Sequence, residues 1–164
     1  MTRVSKGSLQ VSVQRALQAD ERPLAPTRAA IVRWARAAQQ RPDIEVSFRL
    51  VGEDEGRELN HAFRQRDYAT NVLTFVYDDI PPLPAEAGTL PLMGDIALCV
   101  PVVVREAETQ GKALEAHFAH LVVHGMLHLQ GHDHEEPAQA EAMEALETVI
   151  LARLGYPDPY ASEK

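Results

Sequence analysis

The chain has one cysteine among its 164 residues, Cys99, so no internal disulfide can form. That cysteine lies in the apolar run IALCV, and a reducing cytoplasm is the compartment that fits. The N-terminal stretch MTRVSKGSLQVSVQRA lacks a long apolar run, so neither a signal peptide nor a membrane span is expected there. Internal repeats and low-complexity tracts are absent too. Aromatic residues are few, at 5%. Basic charge is missing from most of the chain: residues 67–164 hold four Lys/Arg against sixteen Asp/Glu, whereas residues 1–66 hold twelve against eight. The overall charge of −8 makes generic polyanion binding a poor reading. A local basic surface in the first 66 residues is still available.

What is present is an ordinary globular composition, 45% hydrophobic and 24% charged, of a length that suits one domain over residues 1–164. LQVSVQRA (9–16) and IEVSFRLV (44–51) alternate apolar and polar residues, as strands do. Pro26-Thr27 opens an amphipathic helix to about Gln40, with Ile31, Trp34, Ala35 and Ala38 on one face. EDEGRELNHAFRQ (53–65) reads as a helix with acids first and arginines toward its end. TNVLTFVY (70–77) is mostly apolar and reads as a strand buried on both faces. A proline-rich loop, 78–92, separates it from the strand GDIALCV (94–100). Helices follow over 101–110, 114–130 and from Pro137 to Gly155. The order β-α-β-α-β-β-α-α-α predicts an α/β (α+β) fold, a mixed sheet of about four strands packed with helices.

Six of the seven histidines lie between residues 117 and 134. At 100° per residue, His117, His120, His124 and His128 share an arc of roughly 80° on one helix. His124 and His128, one turn apart, can aim two imidazoles at one ion. Gly131 then permits a sharp turn, and His134 can return as a third donor. Three nitrogens with a position left for water describe a catalytic zinc site better than a closed structural one. Chance collection of imidazoles on a polar stripe is the plain alternative. It fits His117 and His120 better than the other three. His132 belongs to the turn and is expected to be exposed, and Asp133 is a candidate acceptor to orient a ligand imidazole. The pattern departs from the zinc-peptidase spacing HExxHxxGxxH in one respect: Gly125 stands where that motif has its glutamate.

The run HGMLHLQGHDH (124–134) resembles the signature HGxLHLxGxDH of the YbeY family. LNHAFRQRDYATNVLTF (59–75) resembles a second block of that family, and MGDIALC (93–99) its GDI strand. An acidic C-terminal helix with Met143 follows, so the resemblance spans most of residues 50–155. It implies a zincin-like fold and one zinc-type ion on His124, His128 and His134. The implied activity is metal-dependent endonucleolytic hydrolysis of single-stranded RNA, serving 3′-end maturation of small-subunit ribosomal RNA and ribosome quality control. The ribosomal small subunit or its assembly factors are then the expected partners, with no membrane and no DNA. The functional arginine of the family falls on Arg64. Thr74 stands where serine is common, and the 78–92 loop is a candidate for extra length that bears on substrate access.

For that chemistry Arg64 and His124 are the expected catalytic residues. A bound ion supplies a Lewis acid, and Arg64 a charge for the phosphate oxygens. Arg57, seven residues earlier on nearly the same helix face, and Arg66 in the next loop could extend a phosphate track. Asn71 could bond a base or ribose. Phe63, Tyr68, Phe75 and Tyr77 are the local aromatics, with core packing the better reading for most. Asp95 is either a turn-former or a polar cleft residue. His120 is expected beside the ligands, as a support or as the base. Two rivals stand. A metallopeptidase must find its base elsewhere, at Glu106 or Glu115. A ribosome-assembly factor would use the metal for structure and bind RNA without cutting it.

Overall fold

The computed structural model describes residues 8–65, 69–77 and 91–161. Four strands form one sheet in the order β1-β2-β4-β3. Strand β1 (Leu9–Ala16) runs parallel to β2 (Ile44–Val51), and β2 parallel to β4 (Leu92–Cys99). Strand β3 (Val72–Val76) is antiparallel to β4, with Val72 opposite Leu98 and Val76 opposite Gly94. The mixed sheet is therefore as expected. The burial expected for β3 is not: it is the edge strand, and Val76 and Tyr77 are exposed. An apolar run by itself does not distinguish an edge strand from one covered on both faces. Here Leu73 and Thr74 are buried, and among the described residues the far edge of the strand has no neighbour in the sheet.

Among the described residues five α-helices accompany the sheet: α1 (Arg28–Ala38), α2 (Glu53–Arg64), α3 (Val100–Gln110), α4 (Leu114–Leu129) and α5 (Pro137–Leu154), with a short 3-10 turn at Arg22–Leu24. Local chemistry explains their ends. Thr27 caps α1 by accepting from the amide of Ala30 at 3.1 Å. Pro101 and Pro137 sit in the first turns of α3 and α5, where a missing N–H costs nothing. Acids crowd the first turn of α2 and Arg64 its last.

One sheet face is apolar and carries the main core. Ile44, Val46, Phe48 and Leu50 of β2 point into it and meet Ile31 and Trp34 of α1 and Phe118, Val122 and Met126 of α4. Trp34 satisfies its ring N–H on the hydroxyl of Tyr156 at 3.1 Å. A smaller cluster of Val51, Cys99 and Val102, with Leu59 of α2 packed on it, forms separately. Burial pushes the Cys99 thiol up to about 11, so it behaves as a small apolar side chain. Among the described residues, no helix is long and apolar enough to cross a membrane.

Helix α4 is the hub, touching α1, α3, α5, β3 and β4. Its close approach to the sheet depends on Gly125. A methyl group there would lie 3.1 and 3.2 Å from two carbons of the fully buried Ile96, and 3.5 Å from Thr74 Oγ1. In an open helix, Gly→Ala gains about 1 kcal/mol. Here the crowding against Ile96 costs about 1–3 kcal/mol, so Gly125→Ala is expected to lose stability. Urea unfolding checks this: a midpoint above the parent's would contradict the packing argument.

Candidate metal centre

Helix α4 presents His124 and His128 one turn apart to a cleft of about 330 Å³. The helix ends in a Schellman arrangement: the Gly131 amide donates to His128 O at 3.1 Å and the His132 amide to Leu127 O at 3.0 Å. Gly131 itself has φ +102°, a conformation that glycine adopts without strain. Gln130 ties this end of α4 to α1, donating to Ala38 O and accepting from the Gln40 amide. The chain then reverses and brings His134 into the same cleft. The His134 ring centroid lies 5.3 Å from that of His124 and 6.0 Å from that of His128.

The opposite wall of the cleft comes from the end of α2 and from β3, through Asn60, Arg64, Thr70, Val72 and Thr74. The Arg64 guanidinium leans on the strand, donating to Thr74 O at 3.4 Å. Its charge is close enough to act on His128. Burial pushes the His128 pKa down, and His124, His134 and Arg64 push it further the same way. A neutral imidazole is the form that binds a metal ion.

Beneath the cleft lies a carboxylate that the sequence reading did not single out. Glu147 of α5 is 1% exposed. Its Oε1 faces His124 Nδ1 at 3.2 Å, and its Oε2 faces His120 Nε2 at 3.0 Å. Burial alone would raise its pKa, but the bonds from His120 and His124 outweigh that and hold it at about 2. The signal was present in the sequence. Glu147 is one helical turn from both Met143 and Leu151 on the buried face of α5, where a carboxylate needs a partner.

His117, 4% exposed, bonds Glu106 at 2.9 Å. The Asn71 amide donates to the same carboxylate at 3.0 and 3.2 Å. Burial pushes the Glu106 pKa up, the two partners pull it down, and the net position is below the ordinary value. Asn71 is thus spent on Glu106, not turned toward the cleft. Arg57 opens onto a separate surface depression with Asp54, Glu58 and His61. Seven residues of helix carry it about 10 Å along the axis from Arg64, although the two share a face. Arg66 and Tyr68 lie outside the described residues.

Asp133 lines the cleft, but its Oδ1 accepts the backbone amide of His134 at 2.7 Å, so it shapes the turn and is not shown orienting an imidazole. His120 faces away from the cleft, toward Glu147 and the Tyr160 hydroxyl. His132 is half-buried and bonds Gln40 at 2.6 Å. Asp95 is a strand residue that accepts from the Tyr77 hydroxyl. Phe63, which is 62% exposed, stacks against Phe75 with centroids 4.8 Å apart. The two stand-in bases for a peptidase are engaged elsewhere, Glu106 as above and Glu115 with Tyr156 at 3.0 Å. Glu135, which no motif marks, also lines the cleft.

The chemistry of the donor set fits a metal ion: three imidazoles reach one cleft, and a carboxylate engages Nδ1 of one of them, leaving its Nε2 as the donor. Among the described residues no group of three His, Cys, Asp or Glu is already drawn in to ligating distance.

An α+β protein that sets three imidazoles against an arginine across an open cleft has the makings of a hydrolase that acts on an anionic substrate. The family model described as endoribonuclease YbeY matches residues 11–155, and the chain belongs to this family. Its members are endoribonucleases of ribosomal RNA maturation and are metal-dependent. The chain is similar to curated proteins named endoribonuclease YbeY. That of Aromatoleum aromaticum is 59% identical, with 98% of this chain and 97% of that protein covered. That of Pseudomonas entomophila is 54% identical, at 95% and 96%. That of an Azoarcus species is 63% identical over 93% of this chain, which spans 60% of that protein's length. A protein of Thermotoga maritima solved in solution is similar at a TM-score of 0.47, with 23% identity and 96% of each chain covered.

The Asn71–Glu106 contact gives a test. Asn71→Ala should lower stability by about 0.5–1.5 kcal/mol, the usual net worth of a hydrogen bond at a half-buried group, with RNA affinity within threefold of the parent. The sign with pH follows from Glu106. Its pKa is depressed on folding, so the parent's advantage should hold above the ordinary carboxylate range and fade as pH falls through the lower folded value. Chemical unfolding across that range, together with RNA titration, checks both. A large loss of RNA affinity at unchanged stability would return Asn71 to the substrate.

Proposed function

We propose that this chain, as a single metallohydrolase domain, cleaves single-stranded RNA at the His124–His128–His134 cleft with Arg64 opposite. Its biological role on this reading is 3′-end maturation of small-subunit ribosomal RNA and ribosome quality control in the cytoplasm, at the small subunit or its assembly factors. The observation that carries the proposal is the meeting of three imidazoles and one arginine in a single open cleft.

The residues that would hold the ion are His124, His128 and His134, and zinc is the first candidate for three imidazoles, with nickel or copper allowed by the same donors. When bound, such an ion supplies a Lewis acid and lowers the pKa of water toward about 7. Arg64 pairs with phosphate oxygens and stabilises the charge that grows on them during displacement. Its bond to Thr74 O keeps the guanidinium at the wall of the cleft. Gly125 keeps a side chain from this turn of α4, and the position faces Ile96 of the sheet. The lack of a peptidase glutamate thus has a packing cause.

Purified protein of measured metal content, incubated with single-stranded RNA and with casein beside two variants, tests the proposal. Arg64→Ala should cut kcat by roughly 10²–10³-fold, the scale of losing one transition-state donor, with metal content and melting temperature unchanged. His124→Ala should lose both metal and cleavage. RNA cut equally well by His124→Ala would reveal a contaminating nuclease and sink the proposal. RNA bound but never cut under any metal would favour the assembly factor, and cleaved casein the peptidase.

A further inference from the structure

The Glu147 carboxylate serves more than one group. Besides His124 and His120, the Tyr160 hydroxyl donates to it, at 2.9 Å to each oxygen. An ionised carboxylate only accepts, so the ring nitrogens facing it must both carry protons. For neutral His124 this places the proton on Nδ1 and the lone pair on Nε2, while His120 presents Nε2–H. We infer that Glu147, itself held by His120 and Tyr160, is a positioning residue that fixes the tautomer and ring orientation of His124. The inference rests on the reading of His124 as a metal ligand.

The segment after α5 is built to deliver Tyr160. Asp158 Oδ1 accepts the Tyr160 amide at 2.9 Å, which fixes the turn that carries Tyr160. Lys112 Nζ donates to Pro159 O at 2.9 Å and fastens it to the turn before α4. The ring of Tyr160 stands edge-on to His120, with centroids 5.3 Å apart. The end of the described chain is thereby coupled to the cleft through one carboxylate.

The test uses the full chain and two readouts. In metal-free protein, long-range proton–nitrogen NMR reports which nitrogen of His124 bears the proton. Competition with a chromophoric chelator reports zinc affinity. The parent should show the Nδ1–H form. Glu147→Met, which keeps the bulk and removes both acceptors, should shift His124 toward Nε2–H and weaken zinc binding by roughly 10–100-fold. Glu147→Gln, with one acceptor oxygen left, should fall between. Tyr160→Phe, which spares the acceptor and removes one donor, should weaken zinc binding less than Glu147→Met and leave the His124 tautomer unchanged. Zinc affinity within twofold of the parent and an unchanged His124 tautomer, in folded Glu147→Met or, should that variant fail to fold, in Glu147→Gln, would overturn the inference. A parent that binds no zinc would instead overturn the metal reading, and the tautomer measurement would still decide the positioning role.

Discussion

Helix α4 must do two incompatible things, and the rest of the structure follows from that conflict. It packs through the middle of the molecule, with Phe118, Val122, Met126 and Leu127 essentially without solvent exposure. Each such side chain contributes about 1.5–3 kcal/mol when fully buried. The same helix carries four imidazoles along one stripe, and an unpaired buried polar group costs about 1–3 kcal/mol. The conflict is met in part by carboxylates from other helices, while Nδ1 of His117 and of His120 stays buried without a partner among the described residues. Glu106 of α3 faces His117, and Glu147 of α5 faces both His120 and His124. Toward the end of the helix, His124 and His128 reach the cleft they share with His134 and Arg64, whereas His117 and His120 line a separate pocket beside Tyr156 and Pro157.

This arrangement sorts the histidines by depth. The first two belong to the interior, where their partners hold α3, α4 and α5 in register. The last two and His134 belong to the cleft, where the nitrogens are offered outward. Arg64 completes the cleft from the other side, and it sits at the edge of the sheet because, among the described residues, β3 has no further strand beyond it. An edge strand and a helix end leave room for an extended polymer, which a doubly covered strand would not. The strongly acidic balance of residues 67–164 also makes sense in part. Two of those acids are spent inside, on histidines.

Much of the fold was legible because its punctuation is local. Thr27, Pro101, Gly111, Gly131, Pro137 and Gly155 mark helix starts and stops by backbone chemistry alone, and the alternation in IEVSFRLV marks β2. The three cleft histidines were legible from i, i+4 spacing and a glycine turn. What escaped depends on distant partners. The apolar run of β3 looks the same at an edge as at a centre, because strand order is set by crossovers. Arg57 shares a helix face with Arg64, but the axial rise separates them. Asn71 sits in a motif that resembles a substrate contact, and only the approach of α3 reveals Glu106 as its partner. Glu147 was readable as a carboxylate on an apolar face, though its partner was not.

The central claim is that three imidazoles, one of them oriented from behind by Glu147, form a single metal site facing Arg64. Anomalous diffraction at the zinc edge from crystals grown with zinc tests it most directly. One ion is expected, with His124 Nε2, His128 and His134 as its protein ligands at about 2.0–2.1 Å. An ion held through His124 Nδ1, or by Glu147 in place of His134, would contradict the account.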